Sequence, residues 1–201
     1  MYKNIIFDVG EVLFSYGWKE ALMLAGASYE DALMLGKDLF DNPLWGELDL
    51  AVRPYFEVVD ELSSCYPTHK DAITSFLTNV EVMPKSRPVI WELLKRLKEK
   101  GYKLYLLSNY SEYMFSRHTA GRPFMEVIDG AMVSYMVHIN KPDRGIYEAL
   151  LKKYDLDASE SLFFDDKLEN VEGARACGID AIQVTDEPML AGELIKLLSV
   201  K

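Results

Sequence analysis

Six polar residues have types and positions that together could carry chemistry: Asp8, Ser108, Asn109, Lys141, Asp165 and Asp166. Asp8 closes the apolar run of KNIIFDVGEVLF (residues 3–14), Ser108 and Asn109 close KLYLLSN, and Asp165 and Asp166 close SLFFDD. Lys141 follows a weaker run around Val127 to Val133. A short apolar run bounded by turn residues reads as a strand buried on both faces. The four junctions then share the C-terminal edge of a parallel sheet, where open α/β folds collect ligands. Singly, each has a structural alternative: Asp8 could make a turn, Ser108 and Asp166 could cap helices, and Lys141 before Pro142 could open one. Jointly they are harder to dismiss. Three carboxylates at one edge repel one another, an arrangement that is costly unless a cation binds there. An all-oxygen donor set with few protein ligands suits Mg²⁺, which keeps several waters and shares its site with phosphate. A carboxylate nucleophile, a hydroxyl and an amide to hold phosphate oxygens, an ammonium and Mg²⁺ make a phosphoryl-transfer site.

Composition narrows the partners. The chain has 201 residues, 49% hydrophobic and 27% charged, which fits one domain or a domain with an insertion. Its formal net charge of -10 and the lack of any basic cluster beyond the helix face Lys95 to Lys100 exclude nucleic acid as an expected partner. An anionic substrate needs a local positive field, which Lys141 and the metal would supply. Cys65 and Cys177 match no metal or redox spacing, and His69, His118 and His138 form no HExxH pair. The start is too interrupted by Asp8 and Glu11 to read as a signal peptide, and no apolar run reaches membrane-spanning length. The expectation is a cytoplasmic protein with reduced thiols, no membrane partner, and a monomer by default.

The elements that must position these groups alternate. After Phe14 the pattern becomes helical: Lys19 to Phe40 with a break at Gly26 to Ser28, a further helix with Asp49 as N-cap running to Leu62, and another from about His69 to Val80. From Pro84 onward helices alternate with strands: helix 87–100, strand 103–109, a short helix 111–118, strand 127–133, helix 143–154, strand 161–166, helix 168–177, strand 179–184 and helix 189–198. This predicts an α/β fold, a Rossmann-like parallel sheet of five or more strands in the order 5-4-1-2-3, with an inserted all-helical cap. The expected division is a catalytic core of residues 1–14 and 85–201 and a cap of residues 15–84. The aromatic and methionine side chains of the insertion read mainly as its own core. Trp45, Glu47 and Arg53, around Gly46, are the candidates for substrate selection.

The ordered motifs FDVGEVL, LLSN, KPDRGIY and FFDDKLENVEGARACGI resemble those of the haloacid dehalogenase superfamily of hydrolases, in its subclass with a helical cap after the first motif. The likeness spans nearly the whole chain. Within the superfamily the chain resembles bacterial sugar-phosphate phosphatases of the alpha-glucose-1-phosphate phosphatase type, through the DxG first motif and the FFDD fourth motif. The resemblance implies that Asp8 is the nucleophile forming an aspartyl-phosphate and also a metal ligand. Gly10 would offer its backbone carbonyl to Mg²⁺. Ser108, Asn109 and Lys141 would hold the phosphoryl group, Asp166 with Asp165 would bind the metal, and Asn170 would support that shell. One departure stands out. The family usually has a second Asp at the position of Gly10, acting as general acid and then base, a contribution typically worth about 10²- to 10⁴-fold. Its absence argues against phosphomutase chemistry and favours good leaving groups.

Three functions compete. The leading expectation is a Mg²⁺-dependent phosphatase acting on a small phosphorylated metabolite such as a sugar phosphate. A non-catalytic or weakly active member binding a ligand or partner is the alternative that Gly10 keeps open. A haloacid dehalogenase ranks last, because it would leave the FFDD carboxylates without a use.

Overall fold

The computed structural model describes residues 1–199. Its centre is β1 (Asn4–Phe7), every residue of which is buried. Side chains alternate across a strand, and the two faces of the sheet follow that alternation. Ile5 and Phe7 pack with Leu104, Leu106, Leu162 and Phe164 on one face, whereas Ile6 packs with Tyr105, Leu107, Phe163 and Ala181 on the other. β1 is flanked by β4 (Lys103–Ser108) and β6 (Ser161–Asp165), and outside these lie β5 (Gly130–Val133) and β7 (Asp180–Gln183). All four pairings are parallel. Counting only these five strands along the chain, the order from the β7 edge is 5-4-1-2-3, as the alternation predicts.

Helices cover both faces, as a parallel sheet requires. The apolar stripes of α6 (Pro88–Glu99) and α11 (Glu187–Ser199) cover the Phe7 face. Those of α9 (Arg144–Tyr154) and α10 (Leu168–Ala176) cover the Ile6 face. α7 (Glu112–Thr119) follows β4 and starts at Ser111, whose hydroxyl accepts the Met114 N–H at 3.2 Å. A single turn, α8 (Ser134–Val137), follows β5.

Between β1 and α6 runs a helical segment: α1 (Trp18–Leu24), α2 (Tyr29–Phe40), α3 (Pro43–Leu50), α4 (Tyr55–Ser64) and α5 (Lys70–Thr78). Both of its ends are gathered by an antiparallel ribbon that the sequence pattern does not announce. In it β2 (Phe14–Tyr16) pairs with β3 (Pro84–Ser86).

Three expectations are corrected. Asp49 is not an N-cap; it sits in the last turn of α3. The turn residues Asn42 and Pro43 that follow the helix expected to end at Phe40 also start the next one: the Asn42 side chain accepts the Leu44 N–H at 3.0 Å, and Pro43 takes the first turn, where no backbone donor is missed. The strand expected over residues 127–133 is only Gly130–Val133, because Pro123–Val127 forms a 3₁₀ turn. Among the described residues no helix is long and apolar enough to cross a membrane.

Candidate active site

The β1–β6 ladder continues one residue beyond the strand, with the Asp8 N–H donating to the Phe164 carbonyl at 2.8 Å. That fixes Asp8 at the sheet edge. Its Oδ1 accepts from Ser108 Oγ at 2.5 Å and lies 2.9 Å from Lys141 Nζ. Lys141 is 4% exposed, and its ammonium also donates to Asp165 Oδ2 at 2.6 Å and to the Leu107 carbonyl at 2.9 Å. An ammonium has three protons, so each has a partner and Nζ is held at one point between two carboxylates.

Asp165 is fully buried and fully engaged. Its Oδ1 accepts from the Lys167 N–H at 2.8 Å and from Asn170 Nδ2 at 2.9 Å, while Oδ2 takes Lys141 and a second, 3.1 Å contact from the same amide. Asp165 therefore orients Lys141 and Asn170. Asp166, half-buried, is the more open of the FFDD pair. Asn109 has a different place from the one its motif suggests. Its Nδ2 donates to the Lys141 carbonyl at 2.9 Å and its Oδ1 accepts the Lys141 N–H at 2.7 Å. The amide clamps the lysine backbone, so both ends of its side chain are spent on positioning.

Carboxylate oxygens of Asp8, Asp165 and Asp166 lie within 4.8 Å of one another. Burial raises the Asp8 carboxyl above its ordinary range, Lys141 opposes this, and the Asp165 charge adds to it. Burial, with the charges of Asp8 and Asp165, pushes Asp166 up to about 7. Burial works against the Lys141 charge, but Asp165 and Asp8 outweigh it and hold the ammonium above the usual lysine value. One ammonium among three carboxylates leaves excess negative charge that a hard divalent cation would neutralise. Asn170 Oδ1 is buried without a protein partner, an acceptor that a water on such a cation could satisfy. The donor set fits Mg²⁺.

Close to Asp8 in the chain, Gly10 has no room for a side chain. A Cβ there would lie 2.5 Å from Tyr16 Cε2 and 2.8 Å from the Tyr16 oxygen. The Tyr16 hydroxyl donates to that of Tyr110, which pairs with His118 Nδ1 at 2.8 Å, and His118 Nε2 meets the Val80 carbonyl at 2.8 Å. A carbonyl only accepts, so Nε2 carries the proton and Nδ1 receives one from Tyr110. Burial lowers the His118 pKa to about 4, which keeps the ring neutral.

These groups open into a cavity of about 460 Å³. Its floor is polar: Asp8, Gly10, Ser108, Asn109, Lys141, Asp166 and Asn170. Its other wall, from the helical segment and the ribbon that gathers it, includes Tyr16, Trp18, Phe40, Trp45, Asp49 and Met83. Of the three candidates for selection, Trp45 is on that wall. Glu47 and Arg53 are not. Arg53 pairs with Glu47 at 3.0 Å, Glu57 at 3.0 Å and Glu61 at 2.5 Å, and lines a separate cavity with Tyr55 and Arg117. An arginine with three acidic neighbours within two turns is neutralised locally. Sequence reasoning missed Asp49, Met83 and the Tyr110 relay, which reach the site from elements distant in the chain.

The sequence profile of the haloacid dehalogenase-like hydrolases matches residues 2–178. The chain belongs to this family. Among curated proteins, this hydrolase is 29% identical to the sesquiterpene phosphatase astK of Aspergillus oryzae, over 98% of this chain and 97% of that one. It is 31% identical to phosphatase MT3486 of Mycobacterium tuberculosis, over 90% of this chain and 86% of that one. Its fold is shared with a HAD-like hydrolase from Porphyromonas gingivalis, with a TM-score of 0.76, 21% identity and full coverage of both chains. It is shared also with a HAD enzyme of Bacteroides thetaiotaomicron determined with magnesium and inorganic phosphate, with a TM-score of 0.73, 20% identity and coverage of 91% and 94%.

Proposed function

We propose that the protein is a Mg²⁺-dependent phosphoric monoester hydrolase that works through an aspartyl-phosphate on Asp8. The observation that carries this reading is Lys141 Nζ bridging Asp8 at 2.9 Å and Asp165 at 2.6 Å inside the cluster of three carboxylates. Asp8 and Asp166 would hold the metal with the Gly10 carbonyl, and the ion would offset the charge of the phosphoryl oxygens. Lys141 and Ser108 fix the carboxylate for attack and stand beside the arriving phosphoryl group. Asp8 Oδ attacks phosphorus, the ester oxygen leaves with the alcohol, and water then cleaves the aspartyl-phosphate to return Asp8 and inorganic phosphate.

The helical residues 15–84 act as a cap over a core of 1–14 and 85–201. Apart from Asp41 and Asp49, the wall they contribute is aromatic and apolar, with Trp18, Phe40 and Trp45 opposite the polar floor. Such a wall suits the phosphate of a small apolar or aromatic alcohol better than that of a polyol such as a sugar. The near full-length likeness to a phosphatase of sesquiterpenes supports the same reading. The test is hydrolysis of 4-nitrophenyl phosphate with Mg²⁺ and with EDTA, beside an Asp8→Asn variant, followed by a panel pairing alkyl with sugar phosphates. Turnover is expected with metal and wild-type Asp8, and loss of at least about 10³-fold in the variant. Turnover that survives Asp8→Asn, or that ignores the metal, sinks the mechanism.

A further inference from the structure

The acid/base group cannot reside at position 10, because Tyr16 occupies the space of any side chain there. The cavity must supply it elsewhere. Besides Asp8, the described carboxylates lining it are Glu11, Asp41, Asp49 and Asp166. Glu11 is turned to its own loop, where it accepts the Tyr16 N–H at 2.7 Å and faces Arg87 at 3.5 Å. Asp41 is exposed at the rim, at the end of α2. Asp166 belongs to the metal cluster. The Tyr16 hydroxyl is directed to Tyr110, and burial holds its proton firmly.

We propose that Asp49, carried by the last turn of α3, is the catalytic acid and base of this site. The proposal rests on the phosphatase reading above.

Three observations converge on it. Asp49 shares the cavity with Asp8, Ser108 and Lys141 but comes from the opposite wall, the side on which an ester's alcohol must lie when Asp8 attacks its phosphorus in line. Its residue type runs against its local setting. A carboxylate in the last turn of a helix meets the negative end of the macrodipole, and such an inconsistency marks a site kept for function. Its backbone is also locked to the core. Ser134 Oγ donates to the Asp49 carbonyl at 2.6 Å, His138 Nδ1 to the Leu50 carbonyl at 2.7 Å, and Asn140 Nδ2 to the Gly46 carbonyl at 3.2 Å. These residues belong to the segment that leads into Lys141, so the donor and the nucleophile's anchor are positioned by one stretch of chain.

Burial raises the Asp49 carboxyl to about 7, with Lys167 and Lys141 opposing and Asp8 adding to the shift. The Ser111 backbone opposes the rise as well, and the charge of Asp49 in turn adds to the raised values of Tyr16, Tyr55 and Tyr110. A group poised there can both give and take a proton near neutrality. As the P–O(alcohol) bond breaks, Asp49–COOH protonates the leaving oxygen. The resulting carboxylate then takes one proton from the water that attacks phosphorus, the P–O(Asp8) bond breaks, and Asp49 ends protonated as it began.

Stopped-flow and steady-state kinetics of wild type, Asp49→Asn and Asp8→Asn, all with Mg²⁺, test this on octyl phosphate and 4-nitrophenyl phosphate. Asp49→Asn is expected to lose about 10²- to 10⁴-fold on octyl phosphate. With 4-nitrophenyl phosphate, whose leaving group needs no proton, it is expected to release one nitrophenolate per enzyme in a burst and then stall, since hydrolysis of the intermediate lacks its base. The basic limb of the wild-type profile in kcat/KM for octyl phosphate should vanish in the variant. Removing a buried charge should not lower the melting temperature, which guards against a folding defect. Equal losses on both substrates without a burst, or an unchanged pH profile, overturn the role of Asp49. Full activity in Asp8→Asn, or none in wild type, overturns the phosphatase reading instead and the proposal with it.

Discussion

At the scale of single residues, the pair Gly10 and Tyr16 replaces the aspartate that the motif usually carries. A methyl group at position 10 would press into the Tyr16 ring at 2.5 Å and displace the hydroxyl from Tyr110. Gly10→Ala is therefore expected to destabilise the protein by about 1–3 kcal/mol, the usual range for overpacking, read from the midpoint of urea unfolding. Tyr16→Ala should absorb most of that, so Gly10→Ala combined with Tyr16→Ala should be less destabilised than the sum of the single changes, as contacting residues are. Additive losses would mean that Tyr16 does not hold this space. Asp8 and the carboxylate pair were legible in the sequence because each closes a strand, and strand ends are visible as the end of an apolar run, whereas Lys141 lies beyond β5 and the turn of α8 and was legible only through the motif around it. Tyr16 was legible only as an aromatic near a boundary. What gives it meaning is a close approach to Gly10, which no spacing rule encodes. Asn109 shows the converse: its place next to Ser108 was correct, but its amide is claimed by the Lys141 backbone.

At the scale of elements, the sheet order followed from the alternation of strands and helices, whereas α3 was hidden by a turn signal with two meanings. Asn42 and Pro43 end α2 and also start α3, and the consequence was Asp49 read as a cap when it closes a helix. The residues 134–140 explain why that end of α3 is stable. The last carbonyls of a helix have no partner within it, and here Ser134 and His138 supply donors to two of them, Asp49 and Leu50, while Asn140 bonds the Gly46 carbonyl one turn earlier. His138 is thus a tether. His138→Ala should cost no more than about 0.5–1.5 kcal/mol of global stability. Amide exchange of residues 43–50 should nevertheless speed up, and for an apolar phosphate KM should rise and kcat should fall together, because the helix that loosens carries both Trp45 and Asp49. Unchanged exchange in α3 would remove the tether from the account.

At the scale of the whole molecule, the charge stored in the site couples metal, pH and stability. Asp49 and Asp166 both stand at about 7, well above the ordinary carboxyl, chiefly through burial. A carboxyl whose folded value is raised stabilises the fold fully below its unfolded value, and that contribution is lost as pH rises through the folded one. In EDTA the melting temperature attributable to these groups should therefore fall between about pH 4 and pH 7. Mg²⁺ held by Asp8 and Asp166 would need their ionised forms and so compete with their protons: its apparent affinity should rise over the same interval, with proton release on binding. Stabilisation by a ligand follows its saturation, about 2.7 kcal/mol at a hundredfold excess over Kd. The rise in melting temperature at a fixed Mg²⁺ concentration is accordingly expected to be larger at pH 8 than at pH 6. Asp166→Asn separates the contributions, since it removes one titrating ligand yet leaves Lys141 between Asp8 and Asp165. It should flatten the metal-free curve and shrink the Mg²⁺ response together. A response to Mg²⁺ that is the same at both pH values, or that survives Asp166→Asn in full, would place the cation away from these carboxylates.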